Sequence, residues 1–73
     1  MMSTEQRLAY MADQIFRNLA GMGPQAAAAT ADHITNFWAP SMRARALAML
    51  DDPDAGLTAG ARSALERLRL RSQ

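Results

Sequence analysis

Apolar residues recur along this chain at intervals of three and four, the period of an α-helix, and no segment alternates with the period of two that marks a strand. Leu8, Met11, Ala12, Ile15, Leu19 and Met22 fall within about 100° of one another on a helical wheel, with Gln6, Tyr10, Asp13 and Arg17 on the other side and Phe16 just outside the stripe. Ser3 and Gln6 have capping-box spacing and start this helix. Gly21-Met22-Gly23-Pro24 stops it, and Pro24 suits the first turn of the next. The second helix opens on an alanine run of high helix propensity, Ala26 to Ala29, which also lets a neighbouring helix approach closely. Its predicted apolar face is Ala27, Thr30, Ile34 and Phe37, with His33 and Trp38 on opposite shoulders.

Pro40 disfavours helical geometry at Ala39, so the chain should bend there. A short third helix follows, with Met42, Ala46, Met49 and Leu50 as its main stripe and Ala44, Leu47 and Ala48 as a weaker second strip. Asp51-Asp52-Pro53-Asp54-Ala55-Gly56 is a turn or loop. Thr58 caps a fourth helix whose stripe is Leu57, Ala61, Ala64, Leu65 and Leu68. Asp13–Arg17 and Arg62–Glu66 are spaced as i,i+4 pairs, the second in the less favourable orientation. The pattern predicts a small all-α bundle of three to four short helices, about 4–20, 25–38, 41–50 and 58–70, forming one helical domain over residues 1–73.

Seventy-three residues bury little surface, and the common staples for so small a core are missing. There is no cysteine for a disulfide or a thiolate site, and the single histidine excludes a multi-histidine metal site. Six methionines fill gaps at helical spacing. Association with another chain is then the cheapest further source of burial.

The adjacent aromatics Phe37 and Trp38 fit that reading, because neighbouring helical residues point about 100° apart and cannot both occupy the centre of one apolar stripe. Phe37 and Ile34 are expected in the core and Trp38 at its edge, where Trp is a favoured anchor for a partner. Trp38, Pro40, Met42 and Arg43 at the bend, with Asp32, His33 and Leu47 beside them, are the candidate partner-interface residues.

Net charge is +1, all eight basic residues are Arg, and no recognition helix with interleaved Asn, Gln and Arg is present, so nucleic acid is not the expected partner. Arg67, Arg69 and Arg71 suit the negative end of a helix dipole. There is no phosphate loop, no HExxH pair and no charged-then-apolar leader, and no apolar run approaches about 18 residues, so the expectation is a soluble, cytoplasmic chain without a membrane contact. Ser41, His33 and Asp32 include the residue types of a catalytic triad, but helix neighbours do not provide its geometry. No catalytic, cofactor-binding or metal-binding residue is expected. His33 reads as a shoulder histidine that hydrogen-bonds a loop carbonyl or a partner; the alternative is a proton relay or pH-sensitive contact.

Two segments carry a resemblance. Arg7-Leu8-Ala9-Tyr10-Met11-Ala12-Asp13-Gln14-Ile15 and Ala31-Asp32-His33-Ile34-Thr35-Asn36-Phe37-Trp38-Ala39-Pro40-Ser41-Met42-Arg43 resemble the delta subunit of cytoplasmic NAD-dependent formate dehydrogenase. The likeness covers the chain up to Leu50 and fades beyond it. Asp13 stands where Asn is more usual and Ser41 where a basic residue is frequent.

The resemblance implies a small accessory subunit of a molybdenum- or tungsten-containing complex that oxidises formate to carbon dioxide. In such complexes the alpha subunit carries the metal pterin and iron–sulfur clusters, and other subunits carry flavin (FMN) and pass electrons to NAD. The delta subunit is implied to bind alpha, and through it beta and gamma, supporting assembly, stability or cofactor insertion without binding a cofactor itself. A self-associating helical module and a small nucleic-acid-binding regulator are the alternative functions.

Overall fold

The computed structural model describes residues 2–71, and among them there are four α-helices and no strand. The first, α1 (Thr4–Asn18), starts on the capping box its sequence encodes. Gln6 N donates to Ser3 Oγ at 3.1 Å, and Ser3 N donates to Gln6 Oε1 at 2.8 Å. Two of the helix's orphan amides are thereby satisfied. Leu8 and Ala12 are buried, with Met11 and Ile15 half-buried beside them.

The helix stops short of the glycines, and Ala20–Gln25 forms a tight 3-10 segment. At its centre Gly23 takes φ 63°, which a residue with a Cβ rarely adopts. The helical wheel therefore does not reach Met22, which is half exposed instead of completing the α1 stripe.

The second helix, α2 (Ala26–Phe37), buries Ala26, Thr30, Ala31 and Ile34. The Thr30 hydroxyl donates to the Ala26 carbonyl at 2.8 Å, so this buried polar group is partnered. Burial of Ala31 turns the face away from the predicted Ala27–Thr30–Ile34–Phe37 line and towards Trp38. The third helix, α3 (Pro40–Ala48), has Pro40 in its first turn, where a missing N–H costs nothing. Ala46 is buried, a 3-10 turn (Met49–Asp51) carries Met49 and Leu50 into the core, and Ala44 and Ala48 face out.

The loop to α4 (Ala59–Arg71) turns where Asp54 N donates to Asp52 Oδ1 at 2.9 Å. Ala61 N donates to Thr58 Oγ1 at 3.2 Å, the expected N-terminal cap. That hydroxyl also donates to Asp13 Oδ1 at 2.8 Å, tying the start of α4 to the middle of α1. Ala61, Ala64, Leu65 and Leu68 are buried as the periodicity requires. Arg62 turns to the Leu50 carbonyl (3.2 Å) rather than to Glu66. α4 lies against α2, α1 and α3, which gathers one core around Ile34, Trp38, Leu65 and Leu68. The radius of gyration is 11.1 Å, about what a closed domain of this length has.

Gly60 sets the approach of α4 to α1. A Cβ there would run into the Phe16 ring, at ring atoms that cannot swing away as a flexible chain end would. Alanine at an exposed helical site gains up to about 1 kcal/mol over glycine, whereas overpacking costs about 1–3 kcal/mol. Gly60→Ala is therefore predicted to be destabilising despite the better propensity. Thermal melting should drop by several degrees, and Phe16→Leu in the same chain should recover part of the loss. A Gly60→Ala chain that melts higher than the parent would show that the ring is not fixed against α4.

Candidate partner-contact surface

The bend between α2 and α3 decides which aromatic faces out. Pro40 pushes Ala39 into extended geometry (φ −63°, ψ 150°), and Trp38 before it is extended too (φ −91°, ψ 143°). Trp38 N still donates to the Ile34 carbonyl at 3.0 Å, so the chain departs from α2 just past this residue. Its indole drops into the core and is 6% exposed, while Phe37 is left 73% exposed. This reverses the expectation that Phe37 fills the core and Trp38 faces a partner. The physical reason is the rotation of the α2 face: with Ala31 and Ile34 at its centre, the position after Phe37 lies nearer the core axis than Phe37 does.

The other candidate residues divide between internal and outward roles. Arg43 is turned inward: its Nη1 donates to the Trp38 carbonyl at 2.7 Å and to the Thr35 carbonyl at 3.3 Å. Met42 and Leu47 are half-buried against the core. Asp32 is exposed but pairs with Arg71 at 2.5 Å, fastening the end of α4 to α2. Pro40 and His33 are exposed. His33 packs its ring on Phe37, with centroids 4.6 Å apart and planes tilted by 36°. The i,i+4 spacing of His33 and Phe37 was a sequence signal for a shared face. The adjacency of Phe37 and Trp38 masked it.

Catalytic geometry does not assemble around these residues. Asp32 serves Arg71 and His33 serves Phe37, so the two do not form a relay to Ser41. A shallow open groove between α1 and the α3–α4 loop is lined by Gln6, Tyr10, Asp13, Asp54 and Thr58. Asp13 in it already accepts from Thr58 and pairs with Arg17 at 3.0 Å. Among the described residues no three His, Cys, Asp or Glu side chains are grouped to hold a metal ion, and no helix is long and apolar enough to cross a membrane.

The arginines are largely committed within the fold. Arg69 pairs with Asp51 at 3.2 Å, Arg71 with Asp32 and Arg17 with Asp13, and Arg45 lies 3.9 Å from Glu5. Arg43 and Arg62 bond carbonyls. The cations at the end of α4 are thus part of the packing of that helix onto its neighbours. What remains outward and unusual is apolar: Phe37 on α2, Leu70 at the far end of α4, and Tyr10 on α1.

Comparison with known families finds a match over most of the chain. A family model described as NADH-dependent formate dehydrogenase delta subunit FdsD aligns with residues 7–65. No curated protein and no solved structure matches the chain.

Proposed function

We infer the function from one premise: this chain belongs to the NADH-dependent formate dehydrogenase delta subunit family, FdsD. The reading that follows is a non-catalytic accessory subunit. It binds the metal-containing alpha subunit of the complex and supports its assembly, stability or cofactor insertion. The molybdenum or tungsten pterin, the iron–sulfur clusters, FMN and the NAD site are assigned to the other subunits. The absence of cysteine supports that assignment for the clusters, whose irons are usually held by thiolates.

The observation that carries the reading is Phe37. Phe37 is 73% exposed and its ring lies against that of His33, and aromatic side chains are enriched at protein–protein interfaces. The docking surface on this reading is centred on Phe37, His33 and Pro40, with Trp38 and Arg43 supporting it from beneath. Charge plays a minor part, since most arginines are already partnered inside the fold.

The test is co-expression of the affinity-tagged full chain with the alpha subunit. Stoichiometric co-elution that survives raised salt is the expected result. Light scattering of the chain alone separates the competitors. A tight concentration-dependent homodimer that excludes the alpha subunit would replace this reading with self-association. Steep salt-dependent DNA binding would replace it with a nucleic-acid role.

A further inference from the structure

We propose that Arg43 is the positioning residue of this surface: its guanidinium locks the α2–α3 bend in the one geometry that turns Trp38 inward and Phe37 outward. The proposal rests on the reading that the Phe37 face meets a larger subunit. It adds the device that presents that face.

The argument is an account of backbone carbonyls. Had α2 continued, the amides of Ala39 and Met42 would serve the carbonyls of Thr35 and Trp38. The bend removes both donors. Met42 N and Arg43 N instead donate to the Ala39 carbonyl, at 3.0 Å and 3.1 Å, to start α3. Pro40, the residue after Ala39, has no N–H to give. Thr35 O and Trp38 O are thus left without helical partners at the place where the chain must hold a sharp turn. Arg43 Nη1 donates to both, at 3.3 Å and 2.7 Å, from one turn inside α3. A cation there also suits the negative end of α2. The guanidinium therefore does for the bend what two amides would do for a continuous helix, and it ties two helices together in doing so.

The consequence is a coupled pair of positions. With Arg43 bonded, the backbone of Trp38 is fixed and its indole stays in the core. With Arg43 removed, the extended Trp38–Ala39 segment is held only by the Trp38 N bond to Ile34 and by packing. The end of α2 then frays, the indole loosens, and Phe37 no longer sits in a single orientation.

The experiment uses Arg43→Met, which keeps an apolar stem without donors, and Arg43→Lys, which keeps a charge and donors on a flexible stem. Trp38 is the only tryptophan, so fluorescence reports on this bend alone. In the full chain, Arg43→Met should shift Trp38 emission to the red, raise quenching by acrylamide, and speed amide exchange at Trp38 roughly tenfold or more. Arg43→Lys should fall between Met and the parent, and co-elution with the alpha subunit should weaken in the same order.

Unchanged emission and exchange in a folded Arg43→Met chain overturns the proposal. So does lost co-elution with an undisturbed Trp38 signal, because Arg43 would then be a direct contact. If Arg43→Met fails to fold, Arg43→Lys decides: a parent-like Trp38 signal overturns the clamp, and an intermediate one supports it. Failure of the docking reading is separate, since it would show as retained co-elution in chains with Phe37 removed while the Trp38 signal still follows Arg43.

Discussion

Trp38→Ala is expected to lose about 3–5 kcal/mol of folding stability, the range for deleting a large aromatic from a core. The indole is 6% exposed and packs in the cluster that includes Ile34, Ala46, Met49 and Leu65. It belongs to one core cluster with residues of the 3-10 turn after α3 and of α4, so its removal leaves a void in the core those elements share. A domain of this length has about 4–11 kcal/mol of stability in total, and small cores sit towards the lower end. The variant should therefore be largely unfolded or melt tens of degrees below the parent, read by far-ultraviolet circular dichroism and urea titration. Neighbouring Phe37→Ala should change stability by no more than about 0.5 kcal/mol, because an exposed ring leaves no cavity. A Trp38→Ala chain that melts within a few degrees of the parent would contradict the placement of the indole in the core.

That contrast also shows where the sequence could be read and where it could not. Ser3–Gln6, Asp13–Arg17, Thr58 and the Ala61–Leu68 stripe are local features, settled within one or two helical turns by spacing and capping chemistry. They stand in the fold as the chain spells them. The Phe37–Trp38 choice is of another kind. A wheel built on Ala27, Thr30 and Ile34 differs by a few tens of degrees from one built on Ala31 and Ile34, and that difference exchanges the two rings. The rotation is set by how α4 and α1 pack on α2, which is tertiary information. The internal hydrogen bonds of Arg43 are hidden from sequence for a related reason. A guanidinium near a bend suggests an interface anchor, but Pro40 removes backbone donors there and leaves carbonyls that the fold itself must satisfy. Arg69 and Arg71 read in sequence as cations suited to a helix dipole, and their partners Asp51 and Asp32 lie far away along the chain.

Phe37→Ala is expected to weaken binding to the alpha subunit by about 2 kcal/mol or more, roughly thirtyfold, while leaving the fold of the free chain intact. The reasoning starts from what the ring does in the free protein. At 73% exposure it contributes little to the core, and alanine is the better helix former, so nothing in the folded chain opposes the substitution. The His33 ring lies against it from one turn earlier, a contact that narrows the orientations open to the Phe37 ring. An exposed aromatic restricted in this way gives up little side-chain entropy on docking, which favours it as an anchor over a flexible methionine such as Met22.

His33→Ala should consequently show a smaller loss, on the order of 1 kcal/mol, through weaker ordering of the Phe37 ring. Titration of the alpha subunit with labelled chain, at two salt concentrations, measures both. Apolar docking predicts that the Phe37 deficit is nearly the same at each, since no charge pair is being screened. If the dissociation constant for Phe37→Ala stays within twofold of the parent, the anchor lies elsewhere. Leu70, 69% exposed at the end of α4 and tethered there by the Arg71–Asp32 pair, is then the next ring-free apolar group to truncate.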